Sequence, residues 1–303
     1  MNTLPSDLVF YDRGWLSSNS LLLLGKQTTL VDSGHFCHAP LLKLLLNAAL
    51  ERKPLQSIIN THLHSDHCGG NGYLQSYYPA IDIRIPSGQW REVLDWSHME
   101  QANAGIGQIC PAFKATSQIT PNTEICINDR VWEVHAAPGH DMEAILLFAP
   151  LEKILISGDA FWENGFGVVF PELSQEEGFK HVRDTLSLIA DLGPSLVVPG
   201  HGRIFTQVKD SLNLARQKLD YFQSNPLSHA KYASNVFVKF KLMQEQRMTF
   251  SALKAWALTC PVLIQTQELF FPQVSFHEWL NQITNDLTLK KSITVQDQFL
   301  LNL

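Results

Sequence analysis

The stretch from Gln56 to Gly72 constrains this chain more than any other. An apolar run, Gln56-Ser-Ile-Ile-Asn60, leads straight into Thr61-His62-Leu63-His64-Ser65-Asp66-His67, and Gly69, Gly70 and Gly72 follow. A short apolar run bounded by polar residues reads as a strand. If the chain stays extended past it, His62 and His64 point the same way and can share one ion, while Asp66 and His67 on the next turn can reach a second. Three imidazoles and a carboxylate within six residues are the ligand types that zinc and similar borderline metals accept. The glycines allow the tight backbone path such a loop needs before a helix starts. The fold must therefore bring a strand's C-terminal end to a metal site.

Further ligand types sit at other strand ends. His140 stands in Ala137-Pro-Gly-His-Asp141, Asp159 in Ser157-Gly-Asp-Ala160 and His201 in Pro199-Gly-His-Gly202, each just after an apolar, strand-like run. One Gly-His or Gly-Asp is weak; three of them together with the first cluster describe loops converging on one place. The pattern predicts strands at 20–24, 28–32, 81–85, 130–136, 144–148, 153–157 and 196–199. It predicts helices from Pro40 to about Arg52, at 88–100 and at 176–192. Alternating strands and helices are what layered α/β folds require. After His201 the reading turns helical, at 206–224, 235–244, 251–258 and 276–287, and closes with a small hairpin at 292–295 and 299–303. Ser224-Asn225-Pro226 marks a break, so residues 1–225 are expected to form the catalytic domain and 226–303 a mainly helical, winged-helix-like module.

Composition narrows the function classes. A hydrophobic fraction of 45% and a charged fraction of 17% belong to a soluble globular chain, and no apolar run approaches the roughly 20 residues that cross a bilayer. The start lacks a basic segment, apolar stretch and cleavage site, so the expected compartment is the cytoplasm. The net charge of −6 argues against indiscriminate nucleic-acid binding. The excess of 11 basic over 7 acidic residues beyond position 202 leaves the tail as the basic part. Five cysteines without a CxxC pair fit reduced thiols. Cys68, directly after the histidine motif, reads as a packed thiol rather than a ligand.

With these residues in place, the sequence resembles the metallo-β-lactamase superfamily over roughly residues 15–205. The HxHxDH signature stands as His62–His67, and the later ligand positions match His140, Asp159 and His201. The likeness is greatest to glyoxalase-II-like and β-lactamase-like-protein-2-type hydrolases. It implies an αββα sandwich with two metal ions, His62, His64 and His140 on one, Asp66, His67 and His201 on the other, and Asp159 bridging them. Zinc is the expected metal, with manganese or iron as alternatives. It also implies hydrolysis by a dimetal-bridging hydroxide oriented by Asp66, the expected catalytic residue, on a small thioester, ester or lactone. A single-stranded RNA nuclease is the alternative, so nucleic acid is an unfavoured partner; an iron-dependent persulfide dioxygenase fits less well, since it keeps one metal. Asp32 is expected behind the ligands, and His35 and His38 away from the metals. Trp162 and Phe166, in the segment after Asp159, are expected to line the substrate pocket, whereas Trp90, Trp96 and Phe170 read as packing residues.

Overall fold

The computed structural model describes residues 4–51 and 53–303. Two sheets face each other. The first runs in the order β1 (Leu8–Tyr11), β2 (Ser20–Leu23), β3 (Thr29–Val31), β4 (Ser57–Ile59), β5 (Asp82–Pro86) and β6 (Ser117–Ile119). It is antiparallel as far as β3 and parallel from β3 onward. The second contains β7 (Thr123–Ile127), β8 (Arg130–Ala136), β9 (Ile145–Ala149), β10 (Ile154–Gly158) and β11 (Leu196–Pro199), in the order β11-β10-β9-β8-β7.

Strand alternation distributes the apolar residues over both faces of each sheet. Leu21, Leu23, Val31 and Ile59 of the first sheet meet Trp132, Val134, Leu147, Ile156 and Val198 of the second in the central core. Leu22, Leu30, Ile58 and Ile83 pack outward against the helix Ala39–Leu50 through Leu42 and Leu46. Leu146, Phe148, Leu155 and Val197 pack outward against the helices Gly178–Leu192 and Val208–Ser224. The result is an αββα sandwich, and burial on both faces explains why these strands are written as unbroken apolar runs.

Several local expectations change. The helix expected to reach Arg52 is seen over Ala39–Leu50, and Arg52 lies outside the described residues. The segment expected as one helix over 88–100 is divided at Asp95, whose side chain accepts from the Ser97 amide and caps a new helix, Trp96–Gly105. The helix expected at 235–244 begins at Pro226, a residue suited to a first turn, and continues to Glu245. Strands β1, β6 and β7 and a helix at Pro261–Phe270 were not expected.

Beyond that, β12 (Arg247–Thr249), β13 (Ile293–Gln296) and β14 (Phe299–Asn302) form a separate sheet in the order β12-β14-β13. It joins the helices Pro226–Glu245, Phe250–Ala257, Pro261–Phe270 and Phe276–Leu289 in a core of their own, which also takes in Val168 and, from the short helix Phe170–Leu173, Leu173, both in the segment after β10. No described helix is long and apolar enough to cross a membrane.

Candidate metal centre

Strand direction gathers the site. In the second sheet β8 and β10 are each antiparallel to β9, and β11 is parallel to β10, so β8, β10 and β11 end at one edge. His140, Asp159 and His201 follow those three ends, and the His62–His67 segment follows β4 of the facing sheet. The backbone is tightly fitted there. Gly158 has φ 49°, and a Cβ at Gly200 would run into the Asp159 carboxylate.

The seven expected ligand residues come together in two groups. His62, His64 and His140 offer nitrogens to one point, with His64 Nδ1 3.1 Å from His62 Nε2 and 2.8 Å from His140 Nε2. Asp66, His67, Asp159 and His201 form the second group. Asp159 reaches both: Oδ1 lies 3.2 Å from His67 Nε2, and Oδ2 lies 3.6 Å from His140 Nε2 and 3.7 Å from His201 Nε2. Asp66 Oδ2 lies 3.1 Å from His201 Nε2.

The opposite ring nitrogens are held from behind. His67 Nδ1 stands 2.8 Å from Asp32 Oδ2, a carboxylate that also accepts from the Thr61 amide and hydroxyl. His140 Nδ1 donates to the Val168 carbonyl at 2.6 Å. Such backing fixes which nitrogen faces the site.

Electrostatics favour cations there. Burial, then the neighbouring imidazoles His67, His64 and His140, push His62 well below its ordinary pKa. Burial also lowers His64 and His140 to about 4, leaving neutral rings with free lone pairs. Burial opposes ionisation of Asp66, but the hydrogen bond from His201 and the charge interactions with the neighbouring imidazoles together outweigh it and bring the carboxyl down to about 2. Burial likewise opposes a charged His67, yet Asp159 and Asp32 raise it well above the usual imidazole range. A positive charge between those carboxylates is therefore favoured. His67 Nε2 is buried without a well-formed hydrogen bond. That orphaned nitrogen, three neutral imidazoles on one point and two ionised carboxylates on the other fit two divalent cations with nitrogen and oxygen ligands.

A cavity of about 310 Å³ opens onto these groups, bordered by His64, Asp66, His140 and Asp159. Trp162 lies on it, with Nε1 3.3 Å from Asp159 Oδ1 and its ring edge-on to His201. Phe166 does not. It is 1% exposed in the core under the second sheet, where Lys218 donates to its carbonyl and lies 4.8 Å from its ring. The loop closes on itself through Trp162 N donating to Gly165 O, which turns the next residue inward. Phe170 takes the place expected of Phe166, with its ring 4.9 Å from that of His64 and 5.3 Å from that of His140. Trp90 and Trp96 pack against the outer core of the first sheet.

His35 and His38 join neither group: His35 is fully buried beside Phe36 and Phe240, and His38 lies 2.9 Å from the Ser17 hydroxyl. Cys68 is buried, its sulfur 3.5 Å from that of Cys110. Sequence reasoning missed Trp15, stacked on His201 at 3.8 Å, and the wall supplied by the Pro226–Glu245 helix. No motif marks either.

Comparison with known proteins agrees with the geometry. The family model described as the metallo-beta-lactamase superfamily matches residues 13–201. The chain is 28% identical over 202 residues to metallo-beta-lactamase domain-containing protein 1 of Xenopus laevis, covering 65% of this chain and 75% of that protein. It is 30% identical over 115 residues to a hydroxyacylglutathione hydrolase of Yersinia enterocolitica, a match covering 38% of this chain and 37% of that enzyme. Among solved structures, a metallo-beta-lactamase family protein from Thermus thermophilus superposes with a TM-score of 0.61 at 16% identity, over 99% of this chain and 100% of that one. At that identity the likeness is one of fold, and it extends through the C-terminal module.

Proposed function

Because the chain belongs to the metallo-β-lactamase superfamily, we propose that it is a binuclear zinc hydrolase acting on a small thioester, ester or lactone. One observation carries the reading: the two ligand groups share Asp159 and open onto a cavity whose other walls are largely apolar, among them Trp15, Val168, Phe170 and Phe240. The similarity to a hydroxyacylglutathione hydrolase, a thioesterase by name, supports the same chemistry.

His62, His64 and His140 would hold one ion, Asp66, His67 and His201 the other, with Asp159 between them. When bound, the ions acidify water and polarise an acyl oxygen. The chain does the rest. Asp66, ionised and facing the cavity, orients the attacking water and takes its proton on the carboxylate. Trp15 and Trp162 cover His201 with aromatic faces and exclude bulk water from that side. The apolar walls suit an acyl group. A polyanion would call for a basic groove; the cavity is bordered by two lysines, Lys239 and Lys290, and Lys239 already donates to the Ser292 and Leu303 carbonyls, which leaves the RNA nuclease as the reading the cavity favours less.

The test is turnover of a panel of acyl thioesters, lactones and single-stranded RNA by zinc-loaded protein, with a chelator control and the Asp66→Ala variant. Chelator-sensitive cleavage of the small acyl compounds, nearly abolished in Asp66→Ala, is expected. Cleavage of RNA alone, or an undiminished rate in the variant, would refute the proposal.

A further inference from the structure

Residues 166–169 form no helix or strand, yet they stand directly behind the metal centre. Gly167 lies so close to the His140 ring that a Cβ there would come 2.5 Å from Nδ1, and the Val168 carbonyl accepts from that nitrogen at 2.6 Å. An irregular segment has no ladder to hold it, so its backbone groups are fixed from outside. The Phe166–Gly167 peptide is gripped at both ends: its N–H donates to the Asp159 carbonyl at 2.9 Å, and its C=O accepts from Lys218 Nζ at 3.0 Å. Lys218 belongs to the helix Val208–Ser224, in a stripe with Ser211, Ala215 and Phe222, all three buried. The spacing of four and three residues makes this one helix face. An ammonium on a buried face is costly, and no carboxylate pairs with it among the described residues. The rings of Tyr232, Phe166 and Phe222 surround it instead, with centroids 4.7, 4.8 and 5.7 Å from Nζ. Burial lowers its pKa to about 8, which leaves it charged at pH 7. An aliphatic side chain would fill the same space without that cost, so what the charge adds is the hydrogen bond to the Phe166 carbonyl.

We propose that Lys218 is a positioning residue for the metal centre: by holding the Phe166 carbonyl it fixes Gly167 and Val168 behind His140, which keeps the proton on Nδ1 and leaves Nε2 for the cation. Lys218 acts through the backbone rather than by contact with a ligand. His67 has a carboxylate behind it, whereas His140 has a backbone carbonyl, and a backbone carbonyl is only as fixed as the segment that carries it. The inference rests on the metal-centre part of the hydrolase reading and extends the site to a helix on the outer face of the second sheet.

Lys218→Met keeps the apolar stem and removes the donor, so the fold should survive it. The ring protons on Nδ1 of His140 and His67 are followed by NMR in histidine-labelled protein, metal-free and zinc-loaded, with the His140 signal assigned by its loss in His140→Gln. Wild-type protein should protect both protons from exchange with water. In Lys218→Met the His140 proton should exchange faster by about tenfold or more, while the His67 proton, held by Asp32, stays within about twofold. Zinc affinity, titrated against a chromophoric chelator, should fall by about tenfold. A general loosening of the fold would speed both protons alike; that result, or an unchanged His140 proton, would overturn the assignment. Thioester cleavage by wild type with the His140 proton unmoved in the variant would leave the hydrolase reading standing and defeat this one. A freed His140 proton and weakened zinc in a protein that cleaves no acyl compound would do the reverse.

Discussion

Replacing Asp32 with Asn asks whether the tautomer of His67 is set by the residue behind it. Asp32 is buried and holds φ 57°, an uncommon left-handed conformation for a residue other than glycine. In that position Oδ1 accepts from Thr61 N at 2.9 Å, while Oδ2 accepts from Thr61 Oγ1 at 2.8 Å and faces His67 Nδ1 at 2.8 Å. A carboxylate can only accept, so it keeps a proton on Nδ1 and leaves Nε2 for a cation. Asn has the same shape and tolerates the same backbone. If its oxygen keeps the Thr61 amide, its NH₂ faces His67 Nδ1, and the imidazole must carry its proton on Nε2, the atom 3.2 Å from Asp159. Losing such a partner weakens metal affinity by about 10–100-fold, or roughly 1.4–2.7 kcal/mol. Titrating metal-free protein with zinc against a chromophoric chelator gives the affinity of each ion. The ion on Asp66, His67 and His201 should weaken by that factor, and by more than the ion on His62, His64 and His140, to which Asp159 couples it. Unfolding of the metal-free variant controls for folding. Two unchanged affinities would refute the tautomer argument.

Gly200→Ala should abolish metal loading at the Asp66 group, because the added methyl meets the Asp159 carboxylate, with a stability loss of about 1–3 kcal/mol; full metal content by elemental analysis would contradict this. His229 accepts from the Val169 amide through Nε2, and burial, then Lys218, lowers its pKa to about 4. On acidification the unfolded chain takes up that proton first. The contribution is therefore complete above pH 6.5 and is lost as pH falls toward 4, with a ceiling of about 3 kcal/mol. His229→Gln should flatten the fall of the unfolding midpoint across that window, and parallel curves would count against it. Chelation should lower the midpoint of wild-type protein, since each ion at a thousand times its Kd contributes about 4 kcal/mol. An unshifted midpoint would mean that no tightly held ion is present.

The chemistry of the site was legible because imidazole and carboxylate at strand ends have few structural uses. His62 to His67 and the three Gly-flanked residues could be grouped without coordinates. The sandwich was legible for a related reason, since strands buried on both faces, such as Ile145–Ala149, must be apolar throughout. The weak strands were not. Ser117–Ile119 is three residues long and buries only Ile119, too little for a pattern. Aromatic residues near the site failed differently. Phe166 and Phe170 lie four residues apart in one segment, and a turn closed by Trp162 and Gly165 puts Phe170, not the expected Phe166, against the histidines. The face of the Pro226–Glu245 helix was unreadable because it buries apolar residues on more than one side, Ala230, Ala233 and Val238 against its own module and Val236, Phe240 and Met243 toward the cavity. Without a polar side, periodicity cannot say which face belongs to the site. The candidate ligand cluster was therefore readable from residue type, whereas the residues that line the cavity depend on how the Pro226–Glu245 helix is turned against the sandwich.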